Sequence, residues 1–190
     1  MNQKEIIERL KTGNEQFVKD NLAQDNVDQS TRKELVKGQD PFAIVLSCAD
    51  SRVIPELIFD TGLGELFVVR VAGNIANTSS IASIEYSVAN LNTEVIVVLG
   101  HQSCGAVAAA VAGGDNGYNL NHLLSHILPA LESTSDNASV DEVVHENAKL
   151  TVKELAKRSN IIADAVNSGK LKIVPAYYHL DSGKVDFLSA

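Results

Sequence analysis

Four stretches of the chain are almost free of polar residues: Ala43-Ile44-Val45-Leu46-Ser47, Leu66-Phe67-Val68-Val69-Arg70, Val95-Ile96-Val97-Val98-Leu99 and Leu171-Lys172-Ile173-Val174-Pro175-Ala176-Tyr177. Short runs rich in Val and Ile and bounded by turn residues are the mark of strands buried on both faces. Between them the apolar positions recur every three or four residues, which predicts helices. One is expected over residues 2–21 on Ile6, Ile7, Leu10, Phe17 and Val18, interrupted at Gly13. A short second helix is expected around Ser30–Lys37, ended by Gly38, and Pro55 fits the first turn of another. Thr78–Leu91 reads as a helix capped by Ser79 or Ser80, Ala106–Ala112 as a helix start, and Asn121–Leu131 as a Leu-rich helix. Residues 140–166 read as one long helix closed by Gly169, and 185–188 as a last short strand after the turn at Asp181-Ser182-Gly183.

Strands alternating with helices predict an α/β fold with a central, mainly parallel four-stranded sheet and an added edge strand. Pro175 points to an edge or a bulge in the fourth strand. The first helix has only a thin apolar stripe, so it is expected to pack on a neighbouring subunit. No repeat or low-complexity tract divides the chain, and residues 1–190 read as a single domain.

Composition narrows the partners. The chain has 190 residues, 45% hydrophobic and 21% charged, with a formal net charge of −8. It carries no basic stripe, which argues against nucleic acid. No apolar run is long enough for a bilayer, and Met1-Asn2-Gln3-Lys4-Glu5 opens no signal-peptide core, so a cytoplasmic protein is expected. There are two cysteines, Cys48 and Cys104. They form no Cys-x-x-Cys motif, and in a reducing compartment they point to metal or catalysis before a disulfide.

The chemistry gathers where strands end. Val95–Leu99 runs through Gly100 into His101-Gln102-Ser103-Cys104, a strand-to-helix turn. Open α/β sheets place ligands at the carboxyl ends of such strands. Cys48 follows the first strand, and Asp50 and Arg52 alternate with it, so an extended segment puts all three on one side. In a parallel sheet these ends share an edge, so Cys48, His101 and Cys104 can converge. Two thiolates and an imidazole with one open position form a catalytic zinc set. Beside it, Asp50 and Arg52 read as a charged hydrogen-bonded pair. His122 and His126 share a helical face but lack a third ligand, and they read as solvated; His145 reads as structural or exposed.

Cys48-x-Asp50-Ser51-Arg52 followed by Gly100-His101-x-x-Cys104-Gly105-Ala106 resembles the β-class carbonic anhydrases. The similarity extends to Gly64-Glu65-x-Phe67-Val68-Val69-Arg70, Ala72-Gly73-Asn74 and Ser83-Ile84-Glu85-Tyr86, and covers at least residues 36–112. The resemblance implies a homodimer or homotetramer that reversibly hydrates CO₂ to bicarbonate with Zn²⁺ on Cys48, His101 and Cys104. It makes Asp50 the residue that orients the nucleophile and Arg52 the residue that holds Asp50. It also implies that Gln39 reaches the site across the dimer interface, that Phe67, Ala72 and Tyr86 line the CO₂ pocket, and that Gly105 offers a backbone N–H. A larger aliphatic residue usually stands where this chain has Ala72. Members with a closed, aspartate-ligated zinc use a tryptophan three residues before the first cysteine; here that residue is Val45, and Gln39 follows the open pattern, so an open site is expected.

Three other readings were open to the sequence. A relative that hydrolyses carbonyl sulfide or carbon disulfide would share the zinc site. Ser103-Cys104-Gly105 resembles part of a hydrolase nucleophile elbow, but His101 stands where its first glycine belongs. A structural zinc module would have no need of the Asp50–Arg52 pair.

Overall fold

Two fully buried strands, β1 (Ala43–Ser47) and β3 (Val95–His101), run parallel at the middle of a five-stranded sheet. The computed structural model describes residues 1–23 and 25–189. β2 (Leu66–Arg70) lies beside β1 and β4 (Lys172–Tyr178) beside β3, all parallel. β5 (Val185–Phe187) adds an antiparallel edge to β4, so the order is β2-β1-β3-β4-β5. This is the expected α/β sheet with its added edge strand.

Successive strand residues point to opposite faces, and each face has its own cover. Val45, Val97 and Leu99 pack with Ile6 and Leu10 of α1 (Gln3–Val18), Ile58 of α3 (Pro55–Ile58) and Phe59. Ile44, Leu46, Ile96 and Val98 pack with Ile81 and Ile84 of α4 (Thr78–Asn90), Ala148 and Leu155 of α8 (Val140–Arg158), and Ile162 of α9 (Asn160–Asn167). α2 (Gln29–Leu35) buries no residue and is capped by Asp28, whose carboxylate accepts from Thr31 N–H.

The apolar stripe of α1 thus packs on the chain's own sheet. Ile6 and Leu10 belong to the protomer's core. Gly13 does not interrupt this helix. It is buried, and a Cβ on it would lie 1.9 Å from the Phe59 carbonyl oxygen. Alanine is the better helix former by about 1 kcal/mol, yet a contact that close forces the backbones apart. Gly13→Ala is expected to destabilise the protein by about 1–3 kcal/mol, the usual cost of overpacking. Urea unfolding checks this, and an unchanged or higher midpoint refutes the close approach.

Other expected elements changed for local reasons. The helix expected over 121–131 is two, α6 (Tyr118–Leu124) and α7 (Leu128–Glu132), because Pro129 cannot donate back to Ser125. The long helix expected over 140–166 breaks at Ser159 (φ −133°, ψ 117°). The Ser159 hydroxyl donates to Glu85 on α4 at 2.6 Å and accepts the Ile162 N–H at 3.1 Å, so a partner 74 residues away turns a helical position into a cap. The cap of α4 is Asn77, which accepts from Ser80 N–H, and not Ser79 or Ser80. Pro175 stands opposite Val98, and β5 covers only Ala176–Tyr178, so β4 is an edge strand only along its first half. Among the described residues no helix is long and apolar enough to cross a membrane.

Candidate metal centre

The register of the sheet brings the site together. Ser47 lies opposite Leu99, so Cys48, one residue on, and His101, two residues on, leave the sheet at the same edge. The chain then turns through Gln102 and Ser103, and Cys104 is the N-cap residue of α5 (Gly105–Ala112). The Ser103 N–H, in a residue with φ +54°, is held at 2.9 Å by the carboxylate of Asp141 at the start of α8. The ligand atoms of Cys48, His101 and Cys104 all lie within 4.8 Å of one another, and all three residues are buried. The two sulfurs are 4.0 Å apart. Zn–S bonds of about 2.3 Å in a tetrahedron require roughly 3.8 Å, so little movement is needed to seat the ion.

The histidine is set as a donor. Its Nδ1 donates to the Gln102 carbonyl oxygen at 2.9 Å, which leaves the lone pair on Nε2. Nε2 is buried and has no hydrogen-bond partner among the described residues. A buried acceptor without a partner is costly, and a cation between it and the two thiols removes the cost.

The thiols do not ionise independently. Cys48 is drawn down, first by its hydrogen bond with the Cys104 thiol and then by His101 and the N–H groups of Gly73 and Asp50, against the opposing effect of burial. The last two lie 3.3 and 3.4 Å from its sulfur. Cys104 is pushed above its ordinary range, first by Cys48 and then by burial. Two thiolates this close need a soft dication to be anions together. The residues present therefore fit zinc.

Asp50 and Arg52 stand at the mouth of this cluster. Arg52 donates from Nε to Oδ1 at 2.9 Å and from Nη2 to Oδ2 at 2.8 Å, and its own backbone N–H reaches Oδ1 at 3.0 Å. The sequence suggested an extended segment here. The chain instead makes a turn, with the Val53 N–H bonded to the Asp50 carbonyl at 3.0 Å, and this turn closes the pair. Arg52 holds the Asp50 carboxyl far below the usual carboxylate range. Asp50 Oδ2 lies 3.9 Å from His101 Nε2, so an ionised carboxylate borders the metal position.

Arg70 was read only as part of the resemblance, and its position shows a specific task. It donates from Nε to the Cys48 carbonyl at 3.2 Å and from Nη2 to the Asp50 carbonyl at 2.8 Å, clamping the segment that carries both residues. Nothing local in the sequence marks Arg70 or Asp141 for these tasks, because their partners lie 20 and 38 residues away.

The remaining expected site residues fall into two places. Ala72 opens a 3-10 turn after β2 and Gly105 begins α5, both next to residues of the cluster. Gln39 and Tyr86 line a separate cavity of about 390 Å³ with Val36 and Leu91, none of them a metal-site residue, and the Phe67 and Tyr86 ring centres are 6.3 Å apart. His122 is exposed, but His126 is half-buried, and burial lowers its pKa. His145 is half-buried with its ring 4.1 Å from that of Tyr177. Among the described residues the Ser103 hydroxyl has no hydrogen bond to a histidine, so the hydrolase elbow lacks its base.

Known proteins resemble this chain in sequence and in fold. A sequence profile of a family described as carbonic anhydrase matches residues 43–185. Carbonic anhydrase 2 of Mycobacterium tuberculosis is 41% identical over 181 residues, covering 92% of this chain and 87% of that protein. The carbonic anhydrase of Mycolicibacterium smegmatis is 38% identical over 186 residues, covering 95% and 90%. The solved structure of Coccomyxa β-carbonic anhydrase in complex with acetazolamide superposes with a TM-score of 0.77 at 26% identity, covering 93% of this chain and 83% of that one. One of two β-carbonic anhydrases of Sordaria macrospora, described as tetrameric, superposes with a TM-score of 0.75 at 26% identity, covering 84% and 86%. With a sheet that delivers two cysteines and a histidine to one point, and relatives that match nearly its whole length, the chain belongs to the β-class carbonic anhydrases.

Proposed function

We propose that this protein catalyses the reversible hydration of CO₂ to bicarbonate and a proton, with zinc held by Cys48 Sγ, His101 Nε2 and Cys104 Sγ. The observation that carries the reading is the unpartnered, buried Nε2 of His101 facing two thiols beside a paired Asp50. Zinc in that place supplies the acidity that makes water a nucleophile near neutral pH. Two thiolates bring more negative charge than three histidines would, so the acidification is weaker and the activity optimum falls on the alkaline side.

The chain's own residues supply orientation. An ionised carboxylate only accepts hydrogen bonds, so Asp50 takes the O–H of the attacking group and turns its lone pair toward CO₂. Arg52 keeps Asp50 ionised and fixes its direction through two parallel N–H···O bonds. Gly105, at the N-terminus of α5, presents a backbone N–H to substrate oxygen, and Ala72 forms apolar wall, while Phe67 lies beside Tyr86 with ring centres 6.3 Å apart. Gln39 and Tyr86 stand together on an exposed surface with Val36, which is 85% exposed. We assign that surface to a contact between subunits, through which Gln39 and Tyr86 complete a neighbour's CO₂ pocket in a homodimer or homotetramer. A cytoplasmic location agrees with a site that needs both thiols reduced.

Stopped-flow CO₂ hydration by the zinc-loaded protein tests the reading, with carbonyl sulfide turnover measured beside it. Hydration is expected to rise from neutral to alkaline pH and to disappear on chelation. Turnover of carbonyl sulfide in preference to CO₂ would replace the substrate and keep the site.

A further inference from the structure

One glycine ties the candidate metal cluster to the middle of α8. Asn147, 2% exposed in the middle of α8, donates from Nδ2 to the Gly73 carbonyl oxygen at 2.9 Å. The Gly73 N–H in turn donates to Cys48 Sγ at 3.3 Å. Both polar groups of Gly73 are thus committed, one to the thiol and one to the helix.

This glycine is in a conformation that needs an anchor. Its φ is +70°, and Asn74 after it has φ +44°, so two left-handed residues follow one another. Such positions cost about 1–3 kcal/mol each for residues other than glycine and persist only when their surroundings over-determine them. The side-chain atoms of Asn74 are buried without hydrogen-bond partners among the described residues and provide no anchor. A Cβ on Gly73 would lie 2.8 Å from Cδ1 of Ile127, so the space that admits this backbone is already bounded. Glycine has the widest backbone freedom of any residue. The peptide that carries its carbonyl is held at both ends, by Asn147 Nδ2 on the oxygen and by the Asn74 N–H donating to the Val71 carbonyl at 2.9 Å, and Asn147 is the tie that comes from another element.

An N–H aimed at a thiolate stabilises the anion and sets which sulfur lone pair remains for a metal. We propose that Asn147 is a positioning residue for the metal: by anchoring the Gly73 carbonyl it keeps the Gly73 N–H on the Cys48 sulfur. The proposal rests on zinc being held at Cys48, His101 and Cys104. It assigns to α8, 99 residues beyond Cys48, a part in metal affinity.

Asn147→Leu keeps the number and branching of the heavy atoms and removes the donor. Zinc affinity by chelator competition is expected to fall about tenfold, within the range typical of lost outer contacts to a metal ligand. In the cobalt-substituted protein the sulfur-to-metal charge-transfer band is expected to move to lower energy, because the sulfur loses a hydrogen bond. A purely structural Asn147 would lower thermal stability and leave both readouts unmoved, and that result overturns the proposal. Should the variant not fold, the unaltered protein decides: in ¹H–¹⁵N spectra recorded during zinc removal, the Gly73 amide and the Asn147 side-chain amide are expected to shift together. Resonances that stay in place overturn the inference. Wild-type protein that takes up neither zinc nor cobalt overturns the metal reading along with it. Wild-type uptake with an unchanged Asn147→Leu overturns this inference alone.

Discussion

Cys104→Ser is expected to leave the fold standing and the metal site empty. The substitution exchanges a sulfur for an oxygen of similar reach at a residue 1% exposed, so it opens no cavity large enough to collapse the core. The N–H groups of Ala106 and Val107, which lower the pKa of Cys104, can satisfy the new hydroxyl. What is lost is the donor. A serine hydroxyl does not ionise near neutral pH, and its oxygen is a poorer match for zinc than a thiolate. If about 10–16 kcal/mol of zinc binding is shared among three or four ligands, each contributes ~3–5 kcal/mol, or about 10²–10⁴-fold in affinity. Cys48→Ser is expected to behave alike, since its sulfur faces the same point from β1. After dialysis against a moderate chelator, metal analysis should find one zinc per wild-type chain and almost none in either variant, with far-UV circular dichroism unchanged. Full zinc retention in both variants would remove Cys48 and Cys104 from the site.

Arg52→Ala is expected to separate metal binding from activity. The guanidinium makes two of the three hydrogen bonds that hold the Asp50 carboxylate; the third comes from the backbone N–H of residue 52 and survives the substitution. With the side chain gone, a carboxylate whose Oδ2 is 3.9 Å from His101 Nε2 is free to turn toward a dication beside that nitrogen. The attraction between opposite charges at such a distance, in a partly dry site, exceeds what one backbone hydrogen bond resists. Asp50 should then occupy the open position itself. Zinc content is expected to stay at one per chain, and X-ray absorption should show an added oxygen from a carboxylate. CO₂ hydration is expected to fall by about 10²-fold or more, the scale seen when a preorganised polar group is removed from a catalytic site. Restoring activity by chemical rescue with guanidine would support the same account. Arg52→Ala with near wild-type turnover would overturn the role given to the pair. In the unaltered chain Asp50 is bonded to Arg52.

The expected site and fold differ in how far the sequence could reach. Cys48, His101 and Cys104 could be placed because each stands at the end of an apolar run, and the end of a buried strand is where an open α/β sheet exposes chemistry. Arg70 and Asp141 could not. Arg70 belongs to a strand and Asp141 to a helix start, and their acceptor and donor are backbone groups that every residue carries. The pairing of Asp50 with Arg52 was legible from their spacing, but the turn that closes it was not, because alternation fits an extended segment equally well.

Local patterning by itself determined the strands, their burial, their alternation with helices and the three candidate metal-ligating side chains, because hydrophobic period and strand ends are written in neighbouring residues. Contacts between distant parts of the chain decided the rest. Phe59 lies against Gly13, so α1 packs on the chain's own sheet. Glu85 makes Ser159 a cap, so one amphipathic run becomes two helices. Asn147 reaches Gly73, and through it Cys48, from 74 residues away. A hydrogen bond to a backbone carbonyl selects no residue type at its far end and leaves no period in the sequence, so only the folded structure reveals it.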